Sequence, residues 1–319
     1  MGYIGKRLAI TLLTLFLVSL LTFAAFRLIP GDAALLALDV DATEEQIALF
    51  RAELGLDRSF PVQYLSWLGK FLSGNMGNST RFRGSAISAM VLERLPVTFH
   101  LALLSLVFIV LIALPASLPG IQKEDSPLDR LMNAFTALNI SMPGFFLGVL
   151  LIWIFGISFK LFIPGAYTDY RENYGAFLGC LVFPALAIAL PNAAILIKFL
   201  RSSIFREYSA DYVRTARSKG LDRNRVLFRH VLKNASLPAV TLFGMITGEV
   251  FSGSIVIEQV FTIPGVGRLL IASITARDYP LIETLVVYIA FVVILGNTLV
   301  DIVISIIDPR IADSRVRGE

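Results

Sequence analysis

Six apolar runs, nearly free of charge, recur along the chain at about 8–28, 97–120, 131–158, 176–198, 236–257 and 284–306. Each is long enough to cross about 30 Å of hydrocarbon at ~1.5 Å per helical residue. The pattern predicts an all-α polytopic membrane protein with six transmembrane helices, forming a single transmembrane domain over 1–319. Two charges interrupt it: Glu249 falls inside the fifth run and Asp301 near the end of the sixth. The first run follows Lys6 and Arg7. Its core, Leu8 to Phe26, is long for a signal peptide, and Arg27 to Asp32 offers no small-residue cleavage site, so an uncleaved first helix is expected.

Between the first two runs lies the longest polar stretch, 30–95. Thr43-Glu44-Glu45-Gln46 reads as a capping box opening an amphipathic helix through Phe50 and Leu54, with Gly55 as its stop. A second amphipathic piece follows at Val62 to Leu72, with Tyr64, Leu65, Trp67, Leu68 and Phe71 at helical spacing. These pieces fit interfacial helices lying against the membrane, and they also fit a surface that docks an external partner.

Composition supports the membrane reading. Hydrophobic residues make up 56% of the chain and charged ones only 16%, against about 25% in soluble domains. The net charge of +4 does not point to nucleic acid, because the cations cluster beside the apolar runs. From Arg201 to Lys233, Arg201, Arg206, Arg214, Arg217, Lys219, Arg223, Arg225, Arg229 and Lys233 face only Glu207, Asp211 and Asp222. Such a bias marks 201–235 as a cytoplasmic loop. Placing the N-terminus inside also puts Lys123, Arg130, Arg310, Arg315 and Arg317 in the cytoplasm, and six spans return the C-terminus to that side.

Catalytic motifs are missing. The chain has no Gly-x-x-x-x-Gly-Lys-Ser/Thr loop, no Gly-x-Gly-x-x-Gly fingerprint and no Gly-x-Ser-x-Gly elbow. His100 and His230 fall on opposite sides of the membrane in this topology and cannot share a metal. Cys180, the single cysteine, reads as a packing residue. The chain is not expected to be an enzyme on its own, nor to bind a cofactor or metal.

The segment Asp211-Tyr212-Val213-Arg214-Thr215-Ala216-Arg217-Ser218-Lys219-Gly220-Leu221, followed by His230, Asn234-Ala235 and Leu237-Pro238, resembles the coupling loop of the peptide/nickel family of ABC-importer permeases. Further signatures follow in that family's order: Pro30-Gly31-Asp32, Leu54-Gly55-Leu56-Asp57 with Gln63-Tyr64, Ser141-Met142-Pro143, Phe261 with Pro264-Gly265-Val266-Gly267-Arg268, Arg277-Asp278-Tyr279-Pro280, and Asp308-Pro309-Arg310-Ile311. The resemblance covers nearly the whole chain. Departures are local: Thr215-Ala216-Arg217 replaces the generic Glu-Ala-Ala, Gly74-Asn75-Met76-Gly77 stands for Gly-Asp-Leu-Gly, and Ala33 follows Pro30-Gly31-Asp32 in place of proline.

The resemblance implies a type I importer permease in the cytoplasmic membrane of a bacterium or archaeon. Its expected partners are a second, different permease subunit, two ATP-binding-cassette subunits that carry the ATP and Mg, an external solute-binding protein and membrane lipid. Asp211, Tyr212, Arg214, Thr215, Ala216, Arg217, Lys219, Gly220 and Leu221 would meet an ATPase. Tyr212, Ala216 and Leu221 would enter its groove, Arg214, Arg217 and Lys219 would bond its acids, and Gly220 would end the helix. The competing reading is a polybasic helix lying on anionic lipid.

Helix breakers are expected along the translocation path. Pro143 and Gly144 interrupt the third span, Pro184 and Pro191 the fourth, and Gly244, Gly248, Gly253 and Ser254 mark the fifth. Ser141, Met142, Pro143, Gly253 and Glu249 are expected to line the path, while Gly144-x-x-x-Gly148 and Gly244-x-x-x-Gly248 would also serve as packing seams. Glu249 is expensive to bury in hydrocarbon, by about 2.5–3.5 kcal/mol for an acid at a helix centre on insertion scales. It is expected to face either a cationic cargo in the path or the second permease, and Asp301 to be structural. Peptides are the expected cargo. Nickel or a metal chelate is the close alternative, and an ATP-independent secondary transporter or channel is the competing class.

Overall fold

The computed structural model describes residues 3–28, 43, 57–82, 84–118 and 126–307. The helix predicted from Thr43 through Leu54 lies almost wholly outside the described residues, as do Pro30-Gly31-Asp32, Lys123 and 308–319. The described residues form α1 (Tyr3–Leu28), α2 (Phe60–Leu72), α3 (Ile87–Ala116), α4 (Pro127–Ser141), α5 (Gly144–Leu151), α6 (Tyr174–Tyr208), α7 (Asp211–Ser218), α8 (Arg223–Val226), α9 (Leu232–Val260), α10 (Val266–Ala276) and α11 (Tyr279–Ile307). They contain no strand, only an isolated bridge between Asn78 and Ala86. Among the described residues, five helical segments are long and apolar enough to span a membrane: Gly5–Leu28, Ile87–Ala116, Tyr174–Tyr208, Arg223–Val260 and Tyr279–Ile302. A sixth is made if the bent pair Pro127–Ser141 and Gly144–Ser158 counts as one span.

The chain divides into two compact units, 1–97 with 264–295 and 98–263 with 296–319. In the first, an aromatic group joins α1 to α2. Phe23 is fully buried, with ring centroids 5.5 Å from each of Phe60, Tyr64 and Trp67, and Ser19 and Tyr64 share a 2.8 Å hydrogen bond. The predicted amphipathic segment Val62 to Leu72 therefore packs on the first span. A second cluster gathers Ile87 and Val91 of α3, Val266 and Leu269 of α10, and Leu281 and Leu285 of α11. Asp278, fully buried just before α11, accepts hydrogen bonds from Ser79 Oγ, from Thr80 Oγ1 at 3.2 Å, and from the backbone N–H groups of Arg81 and Leu281. Its carboxylate thus ties residues 79–81 to the start of α11. Such a charge tolerates burial because donors surround it.

In the second unit, helix α4 is inside out relative to a helix of a soluble domain. Along α4, Asp129, Thr136 and Asn139 are buried while Leu131, Leu138 and Ile140 are exposed. The apolar side chains lie where lipid would be, and the polar ones find partners within the protein. Helix α6 is the most enclosed span, with 56% of its apolar window buried against 17% for α1. Pro184 and Pro191 were expected to interrupt it, yet the helix runs unbroken from Tyr174 to Tyr208. Pro191 has no N–H for the carbonyl four residues back, and that Ala187 oxygen lies 3.4 Å from where a Cβ on Gly144 would stand. The proline and the glycine together let α5 approach α6 closely.

Between α4 and α5 the chain turns by 109°. Pro143 causes the break. It biases Met142 out of the helical region (φ −99°, ψ 128°), and its own extended backbone restarts the chain as the cap of α5. Gly148 then lets α5 seat on the end of α9, where a Cβ would stand 3.1 Å from Phe261 Cε2, 3.4 Å from Val260 Cγ1 and 3.5 Å from Ile257 Cδ1. After Leu151 the helix widens into a π-turn over Ile152–Ser158.

Gly148→Leu should lower stability by about 1–3 kcal/mol through overpacking. Gly253→Ala, at a helical position with nothing within 4 Å, should be neutral or stabilising by up to about 1 kcal/mol. Thermal unfolding of the two variants in mild detergent checks the contrast. Equal midpoints would show that the seat of α5 on α9 is not tight.

Candidate functional site

The most developed polar surface is the segment from Glu207 to Arg223. Helix α7 starts with Asp211 in its first turn and ends with Arg217 in its last, both favourable to the helix dipole. Gly220 turns the chain at φ +77°, a left-handed conformation natural to glycine, and its N–H bonds the Arg217 carbonyl at 2.9 Å. Asp222 then caps α8 by accepting from Asn224 N at 3.1 Å.

Three contacts hold this segment to the end of α6. Tyr212 Oη donates to Glu207 Oε2 at 2.8 Å, the Arg217 guanidinium lies 4.3 Å from the Tyr208 ring centroid, and Arg223 Nε donates to Tyr208 Oη at 2.9 Å. A cation over a half-buried ring such as that of Tyr208 is worth about 1 kcal/mol. Partial burial pushes the Tyr212 phenol above its ordinary value. The bond with Asn234 opposes that rise and Glu207 adds to it, so the hydroxyl keeps its proton for Glu207 at neutral pH.

The face of α7 differs from the one the sequence suggests. Tyr212, Ala216 and Leu221 were expected to enter a partner groove, but Ala216 is buried beside the fully buried Val213, and Leu221 is half-buried. Two apolar residues three apart seat the helix on its own protein. Tyr212 and Arg217 are occupied by Glu207 and Tyr208. The opposite ridge is Asp211, Arg214, Thr215 and Ser218, with Lys219 beside it, all exposed. Arg214 and Asp211 stand 3.8 Å apart with side chains 81% and 97% exposed, a pair too solvated to stabilise the fold much. Charge on this ridge is exposed to solvent.

The proposed path residues fall in two places. Ser141 and Pro143 are exposed at the break between α4 and α5, with Met142 half-buried, and Ser141 Oγ donates to the Ala137 carbonyl at 2.8 Å. Glu249 and Gly253 lie on an exposed stripe of α9 with Met245, Ser252, Val256 and Gln259. The buried face of that helix carries Ile246, Thr247, Val250, Ser254, Ile257 and Glu258. Glu249 has no hydrogen-bond partner among the described residues. It is the one acid on an otherwise weakly polar stripe. The same residues include no cluster of three His, Cys, Asp or Glu able to hold a metal.

Several important acids escape a reading of the sequence. Glu258, fully buried, accepts from Thr98 Oγ1 at 2.6 Å. Asp129 and Arg201, distant in sequence, form a buried ion pair between α4 and α6. Glu283 is 6% exposed, and its Oε1 has no hydrogen-bond partner. Each flanks or enters an apolar run, where an acid reads as an ordinary boundary charge.

Comparison with known proteins agrees with this architecture. Residues 109–313 match the family model of the binding-protein-dependent transport system inner membrane component, and residues 1–102 match the N-terminal model of the same membrane component. The chain is 33% identical to the oligopeptide transport system permease protein AppB of Bacillus subtilis, over 97% of this chain and 99% of that protein. It is 34% identical to the "Probable peptide ABC transporter permease protein y4tP" of Sinorhizobium fredii, over 97% and 98% of the two chains. A chain from the crystal structure of an amino acid ABC transporter with histidines superposes at a TM-score of 0.48 and 17% identity, over 70% of this chain and 94% of that one, too distant a likeness to carry an inference.

The turn after α7 is testable directly. Gly220→Val forces a branched side chain into left-handed backbone, at a cost of about 1–2 kcal/mol. It should loosen the 217–223 turn and speed tryptic cleavage at Lys219 and Arg223. Gly220→Asn, which tolerates that backbone, should cleave at the wild-type rate. Equal cleavage of all three proteins would mean that the turn does not hold the segment.

Proposed function

Because the chain belongs to the family of binding-protein-dependent transport system inner membrane components, we propose that it is one permease subunit of an ATP-driven importer of peptides. The observation that carries this reading is the α7 ridge: a helix seated on its own protein by Val213 and Ala216, with Asp211, Arg214, Thr215 and Lys219 turned outward. The relatives named for oligopeptide and peptide transport support the cargo class. ATP and Mg2+ belong to two partner ATPase subunits, since this chain lacks a phosphate-binding loop. A second permease chain and an external solute-binding protein complete the assembly. The excess of cations beside the spans supports a cytoplasmic-membrane location with both termini and α7 on the cytoplasmic side.

Transport would proceed by alternating access. ATP binding draws the ATPases together, their motion moves α7, and the spans switch between inward-facing and outward-facing arrangements. Unwound backbone at membrane depth needs protein or water around it, which favours the exposed Ser141-Met142-Pro143 break as part of a hydrated path. Glu249, exposed and unpaired, suits the ammonium group of a peptide.

Reconstitution with the ATPases, the second permease and the binding protein tests the proposal. Peptide uptake should require ATP and all partners. Arg214→Glu should assemble but lose roughly tenfold in coupled uptake, equivalent to about 1.4 kcal/mol at one contact. Uptake driven by an ion gradient through this chain alone would place it in the secondary-transporter class, and uptake of nickel or a chelate in place of peptide would reassign the cargo.

Glu249→Gln keeps shape and hydrogen-bonding capacity while removing charge. Uptake of peptides with a free amino terminus should fall about tenfold relative to N-acetylated neutral peptides, the loss of one charge-assisted contact. Equal losses for both, with poor assembly of Glu249→Leu, would place the residue against the second permease.

A further inference from the structure

The buried ion pair between Asp129 and Arg201 lies where two elements of the transport machinery meet. Asp129 stands in the first turn of α4, whose far end is the 109° break at Met142-Pro143. Arg201 belongs to α6, two turns before Tyr208, to which Arg217 and Arg223 are fastened. Both residues are almost fully enclosed, at 6% and 8% exposure, and Arg201 Nη2 donates to Asp129 Oδ1. The other carboxylate oxygen is in reach of Asn133 Nδ2 at 3.5 Å, whereas Arg201 Nη1 has no partner.

Simple packing does not explain this choice of residues. A well-packed apolar pair would stabilise such a contact at least as well, because both charges must be stripped of water. A buried charge pair does differ from apolar packing in being directional: it holds two helices in one register and resists sliding. Neighbouring exposed residues such as Leu131 and Ser202 show that the pair is set between the helices and not on their outer faces.

We propose that Asp129 and Arg201 form the joint that carries movement of the α7 segment to the bent α4–α5 span, with both acting as positioning residues that touch neither ATP nor cargo. The connection is continuous: α7 is fastened to Tyr208 and Glu207, α6 runs unbroken from there to Arg201, and Asp129 passes the displacement to α4. The break at Pro143 is then the flexible point at which α4 can swing while α5 stays seated through Gly148. This inference rests on the reading of the chain as an ATP-driven permease.

The assembled complex in lipid vesicles tests it, with cargo moved per ATP hydrolysed as the readout. Asp129→Asn and Arg201→Gln should each retain ATP hydrolysis yet lower that ratio about tenfold, an ordinary magnitude for coupling between sites. The exchanged pair, Asp129→Arg with Arg201→Asp, should recover most of it. A merely structural pair would lower yield, hydrolysis and uptake together and leave the ratio at its wild-type value, which would overturn the proposal.

A distance measurement needs no charge variant. In a Cys180→Ala background, spin labels at Leu131 and Ser202 should keep one separation whether ATP is absent or trapped, while labels at Leu131 and Phe145, across the break, should change theirs. A changing Leu131–Ser202 distance would show the joint parting and overturn the inference. If the wild-type complex shows no ATP-dependent uptake at all, it is the importer reading that fails. Wild-type coupling with an unaltered ratio in both charge variants rejects the joint alone.

Discussion

Hydrocarbon cannot hydrogen-bond, so a chain that spans it must settle its backbone polar groups, and most of its side-chain ones, within the protein. The described structure follows from that constraint. Ser19 meets Tyr64, Thr98 meets Glu258, Asp129 meets Arg201, and many hydroxyls on the spans bond a carbonyl three or four residues back, as Thr14 and Ser105 do. Leucines and phenylalanines are left to face outward, among them Leu21, Leu111 and Phe145. The exceptions then gain meaning. Glu249 and the Ser141–Pro143 break are exposed polar features on spans, and each needs water, cargo or another protein beside it.

The α7 segment divides one sequence motif into two physical tasks. Val213 and Ala216 seat the helix, Gly220 turns the chain, and Tyr212 and Arg217 fasten it to the end of α6. Asp211, Arg214, Thr215 and Lys219 remain exposed, the ridge proposed to meet a partner. Rigid attachment matters as much as the contact itself, since a loosely held helix would absorb a partner's movement without transmitting it.

Much of this was legible in the residues. Apolar runs of about twenty residues can only be spans or deeply buried helices, the basic bias of 201–235 marks a water-exposed loop, and Met142-Pro143 predicts a break because proline removes a donor and restricts its predecessor. Pro184 and Pro191 bear the same signature but leave α6 continuous, with Gly144 of α5 close to the carbonyl that Pro191 frees. Composition cannot separate those outcomes. On α7, Ala216, expected to enter a partner's groove with Tyr212 and Leu221, is buried, and only the observed three-residue spacing of Val213 and Ala216 shows which stripe meets the protein. Pairs such as Asp129 with Arg201 and Ser79 with Asp278 join residues far apart in the chain, so no local pattern announces them.

The central claim, that the α7 ridge is where an ATPase drives this permease, is tested most directly by contact. A photo-reactive benzoylphenylalanine in place of Arg214, irradiated in inverted membrane vesicles carrying the native partners, should give an adduct with an ATP-hydrolysing chain, and the yield should change when ATP is added. Adducts with lipid alone, at a yield indifferent to ATP, would contradict the account and leave the helix as a basic membrane-surface element.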